Sequence, residues 1–185
     1  MDNVFYEVEQ GLSWEDCGEI IYAAKDLLAP STILGKQIED FRVADSVFLP
    51  DSPCIGLRSL KSLAAELTRL PESHQEQVHV VRYRAGGEYK GHYDFLQYLD
   101  DKSYLENGGD RYYTVLAYLN DNYKGGRTVF PRREISVKPE LGKVIVWKNL
   151  FDDFTADETS FHAGYPVTEG EKWIAVIWVR QSKRY

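Results

Sequence analysis

Lys172-Trp173-Ile174-Ala175-Val176-Ile177-Trp178-Val179 is the stretch on which the fold turns. Its β-branched and aromatic residues read as a strand that continues to Arg180. The same character recurs upstream in shorter runs at 78–83, 113–119, 128–130, 135–137 and 143–147, divided by Gly, Pro, Asn and Asp. The Gly-Gly pairs at 86–87, 108–109 and 125–126, with Asn120-Asp121-Asn122, mark turns between strands. Further towards the N-terminus the period changes. Cys17, Ile20, Ile21, Ala24, Leu27 and Leu28 repeat at helical spacing from a start at Ser13 until Pro30, and Leu57, Leu60, Leu63, Ala64 and Leu67 do so across 55–70, with Pro71 as the stop. Between them a polar stretch, 31–40, breaks the pattern and 41–49 reads as a strand. Two helices followed by many strands is an α+β plan. No repeat, low-complexity tract or linker interrupts it, so a single domain over 1–185 is expected.

The composition narrows the function. A chain of 185 residues, 43% of them hydrophobic, is enough for one core. A net charge of −7 with no block of Lys or Arg argues against nucleic acid or an anionic membrane as partner. The longest purely apolar run, Ile174 to Val179, is far short of the roughly 20 residues a membrane-spanning helix needs. The first ten residues lack the basic-then-apolar order of a signal peptide, and Cys17 and Cys54 make no disulfide framework. A cytoplasmic setting is the expectation.

His92-Tyr93-Asp94 is the first chemical signal. Residues i and i+2 of an extended segment project to one face, so an imidazole and a carboxylate can meet one ion. With 29 acidic residues and four histidines the pattern alone is weak. His162, in Ser160-Phe161-His162-Ala163-Gly164, supplies a second imidazole. Two imidazoles and a carboxylate leave open positions on an octahedral ion, the arrangement of non-haem Fe(II) oxygenases. A structural zinc site would want four ligands, usually with thiolates, and neither cysteine is near. Lys172, opening so apolar a strand, either snorkels to the surface or neutralises an anion inside. Beside a metal triad it is placed for an anionic cosubstrate.

These residues together resemble the prolyl 4-hydroxylases of the 2-oxoglutarate-dependent oxygenase superfamily. The likeness runs through Gln77-Val78-His79-Val80-Val81-Arg82-Tyr83, His92-Tyr93-Asp94 and Arg111 with the segment 114–120. It continues in Gly125-Gly126-Arg127-Thr128-Val129-Phe130-Pro131, the Lys138-Pro139 and Gly142 turn, the segment 160–167 and Gly170-Glu171-Lys172-Trp173. The resemblance implies a double-stranded β-helix, or jelly-roll, core with the N-terminal helices packed against it. It implies Fe(II) held by His92, Asp94 and His162, and O2 and 2-oxoglutarate as cosubstrates, with Lys172 on the distal carboxylate. Tyr83 and Thr128 would hydrogen-bond 2-oxoglutarate, Trp178 would wall the iron pocket, and ascorbate would serve as reductant. Arg111 matches a substrate contact, although an Arg at a strand start also reads as a solvated charge. One departure stands out: Arg127 occupies a turn position where the family usually has an acid, near the expected cleft mouth, which leaves substrate preference open. His74 and His79 match no motif and read as structural.

The implied reaction is hydroxylation of a prolyl residue in a Pro-rich peptide or protein, with release of succinate and CO2. A free amino acid or other small metabolite is the alternative substrate, and a silent binding module on the same fold is the reading from a different class. Residues 96–110, ending in two glycines, suit a lid or a plain surface loop. Tyr89, Tyr93, Tyr98, Tyr104, Tyr112 and Tyr113 are candidates to line a groove for a polyproline II segment.

Overall fold

A computed structural model describes residues 4–32, 41–50 and 54–185. The elements in chain order are β1 (Phe5–Val8), α1 (Trp14–Ala24), β2 (Ala29–Pro30), β3 (Asp45–Leu49), α2 (Ile55–Thr68), β4 (Val78–Arg84) and β5 (Tyr89–His92). They continue with β6 (Arg111–Tyr118), β7 (Lys124–Gly125), β8 (Thr128–Phe130), β9 (Ile135–Val137), β10 (Val144–Lys148), β11 (His162–Gly164), β12 (Val167–Glu169) and β13 (Glu171–Arg180).

Strand alternation builds two cores from one sheet. A large antiparallel sheet in the order β1-β10-β6-β13-β4-β3-β2 faces a smaller one in the order β5-β11-β8-β9, and β12 pairs with β7. Along β13, Trp173, Ala175, Ile177 and Val179 point to one face and Ile174, Val176 and Trp178 to the other. The same division separates Val78 and Val80 from Val81 and Tyr83 on β4, and Val115 and Ala117 from Leu116 and Tyr118 on β6. The outer face packs under the helices through Cys17, Ile20, Leu57, Leu60 and Ala64, and the inner face packs against Phe130 and Val137 of the small sheet and Val167 of β12. Burial on both faces explains why residues 172–180 read as a nearly continuous apolar run rather than an alternating one. This is the expected double-stranded β-helix with helices on its outer face.

Local chemistry sets the helix ends. The Ser13 hydroxyl accepts from the Asp16 N–H and the Asp16 carboxylate accepts from the Ser13 N–H, a capping box typically contributing about 0.5–2 kcal/mol. The helix stops at Ala24, short of the apolar spacing that extends to Leu28. Pro30 biases Ala29 towards extended backbone, and both residues pair with β3 instead, Ala29 opposite Ser46 and Pro30 opposite Asp45. Leu27, turned out at the bend, is exposed. α2 ends on Arg69 in the left-handed conformation, ahead of Pro71. The strand expected over 41–49 forms only at Asp45–Leu49, and most of the polar break at 31–40 lies outside the described residues. Among the described residues no helix is long and apolar enough to cross a membrane.

Candidate metal centre and its two cavities

Sheet register brings the two imidazoles together. β5 and β11 are antiparallel neighbours in which His92 and His162 are directly opposite, and their ring centroids lie 4.2 Å apart. Seventy residues of sequence separation thus reduce to one cross-strand pair. Gly91 permits the approach, because a Cβ there would sit 2.3 Å from the Phe161 ring. Asp94 arrives differently from the i, i+2 expectation: β5 ends at His92 and the chain bends at Asp94. Hydrogen bonding then positions the carboxylate. Thr114 donates to Asp94 Oδ2 at 2.7 Å, and Asn149 Nδ2 donates to the Thr114 hydroxyl at 2.8 Å. Thr114 and Asn149 are fully buried.

The donor atoms are presented correctly for a metal. Nδ1 of His92 lies 2.8 Å from the Lys90 carbonyl oxygen and Nδ1 of His162 lies 2.9 Å from that of Ser160. A carbonyl only accepts, so each Nδ1 carries a proton and Nε2 is the nitrogen each ring offers to a metal. The Nε2 atoms are 3.6 and 3.7 Å from the two oxygens of Asp94, and the ligand atoms of the three residues all lie within 4.8 Å of one another. Burial, together with His162, pushes His92 down to about 3, so its imidazole is neutral at pH 7. Burial works against ionisation of Asp94. The neighbouring His162, His92 and Arg111 and the Thr114 hydroxyl nevertheless hold it below the usual carboxylate range. Two imidazoles and one carboxylate suit a hard to borderline divalent ion with open positions. His162 is further fixed between the Phe130 ring, stacked at 5.3 Å, and the edge of Trp147 at 4.8 Å.

Two cavities meet at these residues. His92, Asp94, Arg42, His79, Tyr89 and Trp178 line both. The inner cavity, ≈ 40 Å³, reaches Lys172, Tyr83 and Thr128, and the outer one, ≈ 250 Å³, opens past Phe48, Tyr93, Phe95, Leu96 and Arg111. The smaller space thus lies on the Lys172 side of the metal donors and the larger on the Arg111 side.

Lys172 does not snorkel. It is 2% exposed, its ammonium donates to the Gly126 carbonyl at 2.7 Å, and it lies over the rings of Tyr83 and Tyr118 at 5.3 and 5.4 Å. No carboxylate of the described residues pairs with it, and burial alone pushes it down to about 7. A buried amine without a counter-ion destabilises the fold unless an anion joins it. Gly126, at φ +66°, allows this approach, since a Cβ there would crowd the Lys172 side chain at 3.0 Å. Thr128 accepts from the Tyr118 hydroxyl at 2.6 Å across the two sheets.

Some expected roles shift. Arg111 is not a solvated charge: it pairs with both oxygens of Glu76 at 2.8 and 3.0 Å and stacks on Trp178 at 3.6 Å. Glu76 also accepts from Arg180 at 2.6 Å. Arg127 donates to the Ser136 carbonyl at 3.2 Å and lines neither cavity. Of the six tyrosines expected at a groove, Tyr89 and Tyr93 line the outer cavity and the other four do not. Residues 96–110 form a closed loop pinned by the Asp110 carboxylate, which accepts from the Leu96 and Gln97 N–H groups at 2.6 and 2.9 Å. His74 is structural as expected, with Nδ1 3.1 Å from the Arg180 carbonyl.

Sequence reading missed Thr114, Asn149, Glu76, Arg42 and His79. His79 carried a signal, since it shares the face of β4 that holds Tyr83 four residues on.

Comparison with known proteins agrees with this geometry. The profile of the 2OG-Fe(II) oxygenase superfamily matches residues 78–180. The chain is 33% identical to probable prolyl 4-hydroxylase 3 of Arabidopsis thaliana over 91% of its own length and 66% of that protein's. With prolyl 4-hydroxylase 2 of the same plant it is 32% identical, over 89% and 62%. It thus spans less than two thirds of these curated relatives. Among solved structures, the viral collagen prolyl hydroxylase of Paramecium Bursaria Chlorella virus-1, in complex with 2OG, superposes with a TM-score of 0.77 at 26% identity, covering 95% of both chains.

Proposed function

The chain belongs to the 2OG-Fe(II) oxygenase superfamily, and from that membership we propose that it is a prolyl 4-hydroxylase-like dioxygenase acting on prolyl residues of a peptide or protein. One observation carries the reading. The convergent His92, Asp94 and His162 donors and the ammonium of Lys172, which no carboxylate of the described residues pairs with, open into the same cavity. A ligand that chelates a metal at one end and presents a carboxylate at the other satisfies both, and 2-oxoglutarate has this form.

In this reading His92 Nε2, Asp94 and His162 Nε2 hold Fe(II). When bound with O2, iron and 2-oxoglutarate supply an oxidative decarboxylation that yields succinate and CO2 and delivers the second oxygen atom to a C–H bond. The protein's own groups position and protect. The Lys90 and Ser160 carbonyls fix the imidazole tautomers, and Asn149 and Thr114 orient the carboxylate. Lys172 neutralises the far carboxylate of the cosubstrate, Tyr83 and Thr128 add hydrogen bonds to it, and Trp178 separates the inner space from the outer. The outer cavity, walled by Phe48, Tyr93, Phe95 and Trp178, suits pyrrolidine rings, and Arg111, held by Glu76, presents its edge to the substrate.

The test is mass spectrometry of Pro-rich peptides and free proline after incubation with protein, Fe(II), 2-oxoglutarate and ascorbate. One added oxygen on a peptide, lost in His92→Ala, is expected. A shift on free proline alone would replace the peptide reading with a small-molecule one.

A further inference from the structure

His79 is a buried polar side chain with no task in the scheme above. Its place on β4 turns it inward with Val81 and Tyr83, and it lines both the inner and the outer cavity. It is 2% exposed, and its buried Nδ1 has no hydrogen-bond partner among the described residues. Phe48 stacks on the imidazole at 4.2 Å with the planes 9° apart, and Trp178 lies 5.4 Å away with its own Nε1 unpartnered. Burial, and the nearby Arg42 and Arg111, hold it well below the ordinary histidine range, so the ring is neutral and carries one N–H and one lone pair.

An aromatic floor with an unspent donor has a definite complement. A polyproline II segment has no internal hydrogen bonds, its prolines carry no N–H, and its carbonyls need donors when it lies in a dry groove. Arg111 spends its Nε and Nη2 on Glu76 and offers the substrate only its remaining edge. We propose that His79 is a specificity-determining residue, whose ring N–H donates to a substrate backbone carbonyl while Phe48 and Trp178 pack against the adjoining pyrrolidine rings. This rests on the prolyl reading and adds to it the group that recognises the main chain of the substrate.

The experiment is calorimetric titration of the full chain, holding Mn(II) and 2-oxoglutarate so that nothing turns over, with (Pro-Pro-Gly)5 and (Ser-Pro)5 peptides. His79→Leu should weaken peptide binding about tenfold, the worth of one hydrogen bond. His79→Gln, which keeps a donor, should stay within about threefold of wild type, and the affinity for 2-oxoglutarate should be the same in all three proteins. The 15N resonances of the His79 ring in the wild-type protein should move on saturation with peptide, a readout independent of any variant's folding. Unchanged resonances, wild-type affinity in His79→Leu, or a parallel loss of 2-oxoglutarate affinity would each overturn the role of His79 and leave the prolyl reading intact. If the wild-type protein binds neither peptide at millimolar concentration, the prolyl reading fails first and takes this inference with it.

Discussion

At the scale of single residues the most consequential group is Lys172, a buried amine with no counter-charge among the described residues. Its removal should separate cosubstrate binding from the fold. Lys172→Ala leaves the distal carboxylate of 2-oxoglutarate unmatched, and losing a charged hydrogen bond costs about 1.5–3 kcal/mol. The apparent KM for 2-oxoglutarate, read from succinate release, should therefore rise about 10- to 100-fold, and an unchanged constant would mean that the cosubstrate lies elsewhere. The same residue makes ligand-free stability depend on pH. Its folded pKa is about 7, whereas an unfolded lysine titrates near ~10.4. Between those values the unfolded chain holds a proton that the folded chain has released, so stability rises with pH across the window. Lys172→Met lacks the titrating group. Urea midpoints of wild type and variant, compared from pH 7 to pH 10, should show the wild type gaining on the variant as pH rises. A constant difference would place a counter-ion beside the amine. Thr114 acts one step from the metal donors: Thr114→Val cuts the link from Asn149 to Asp94. Losing such a support typically lowers metal affinity about 10- to 100-fold, measurable by titration of the metal-free protein with Fe(II) under anaerobic conditions.

At the scale of elements, facing direction decides what a residue does, and this is where sequence legibility divides. His92, Asp94 and His162 are readable because two of them form a local motif and the third closes a set with one chemical meaning. Thr114 and Asn149 are not readable, since only the pairing of β6 with β10, Thr114 opposite Trp147, brings their segments side by side. Tyr112 and Tyr113 look like groove residues in a tyrosine-rich stretch, yet they sit beside Lys148 instead. The loop over 96–110 is held by contacts that its two glycines do not announce. Three backbone N–H groups, those of Leu96, Gln97 and Arg111, converge on the Asp110 carboxylate, and Arg180 donates to the Tyr104 and Gly109 carbonyls. Asp110→Ala strands these donors. We expect faster protease cleavage within 96–110 and a weaker hold on substrate, because Leu96 and Leu99 wall the outer cavity. Cleavage at the wild-type rate would show that Arg180 suffices to hold the loop.

At the scale of the whole molecule, one sheet serves two masters. Its outer face carries the helices and most of the apolar burial, while its inner face carries the site, and alternate residues of β4, β6 and β13 belong to each. The α+β plan was legible because both runs of helical spacing, 17–28 and 57–67, precede 71 and the main series of strand-like runs follows 78. The pairing of sheets was not, since register lies in contacts between distant segments. The division predicts that stability and catalysis can be damaged separately. Leu60 lies at the centre of the helix–sheet interface and is fully buried, so Leu60→Ala should cost about 2–5 kcal/mol, as large-to-small core changes do. Strands are stiff across their pleat, and Leu60 touches the face away from Tyr83, Lys172 and Trp178. The variant should unfold at markedly lower urea concentration while its KM for 2-oxoglutarate, measured well below its melting temperature, stays within about twofold of wild type. A KM that worsens together with stability would mean that helix packing sets the position of the inner face, and the two faces would then have to be treated as one mechanical unit.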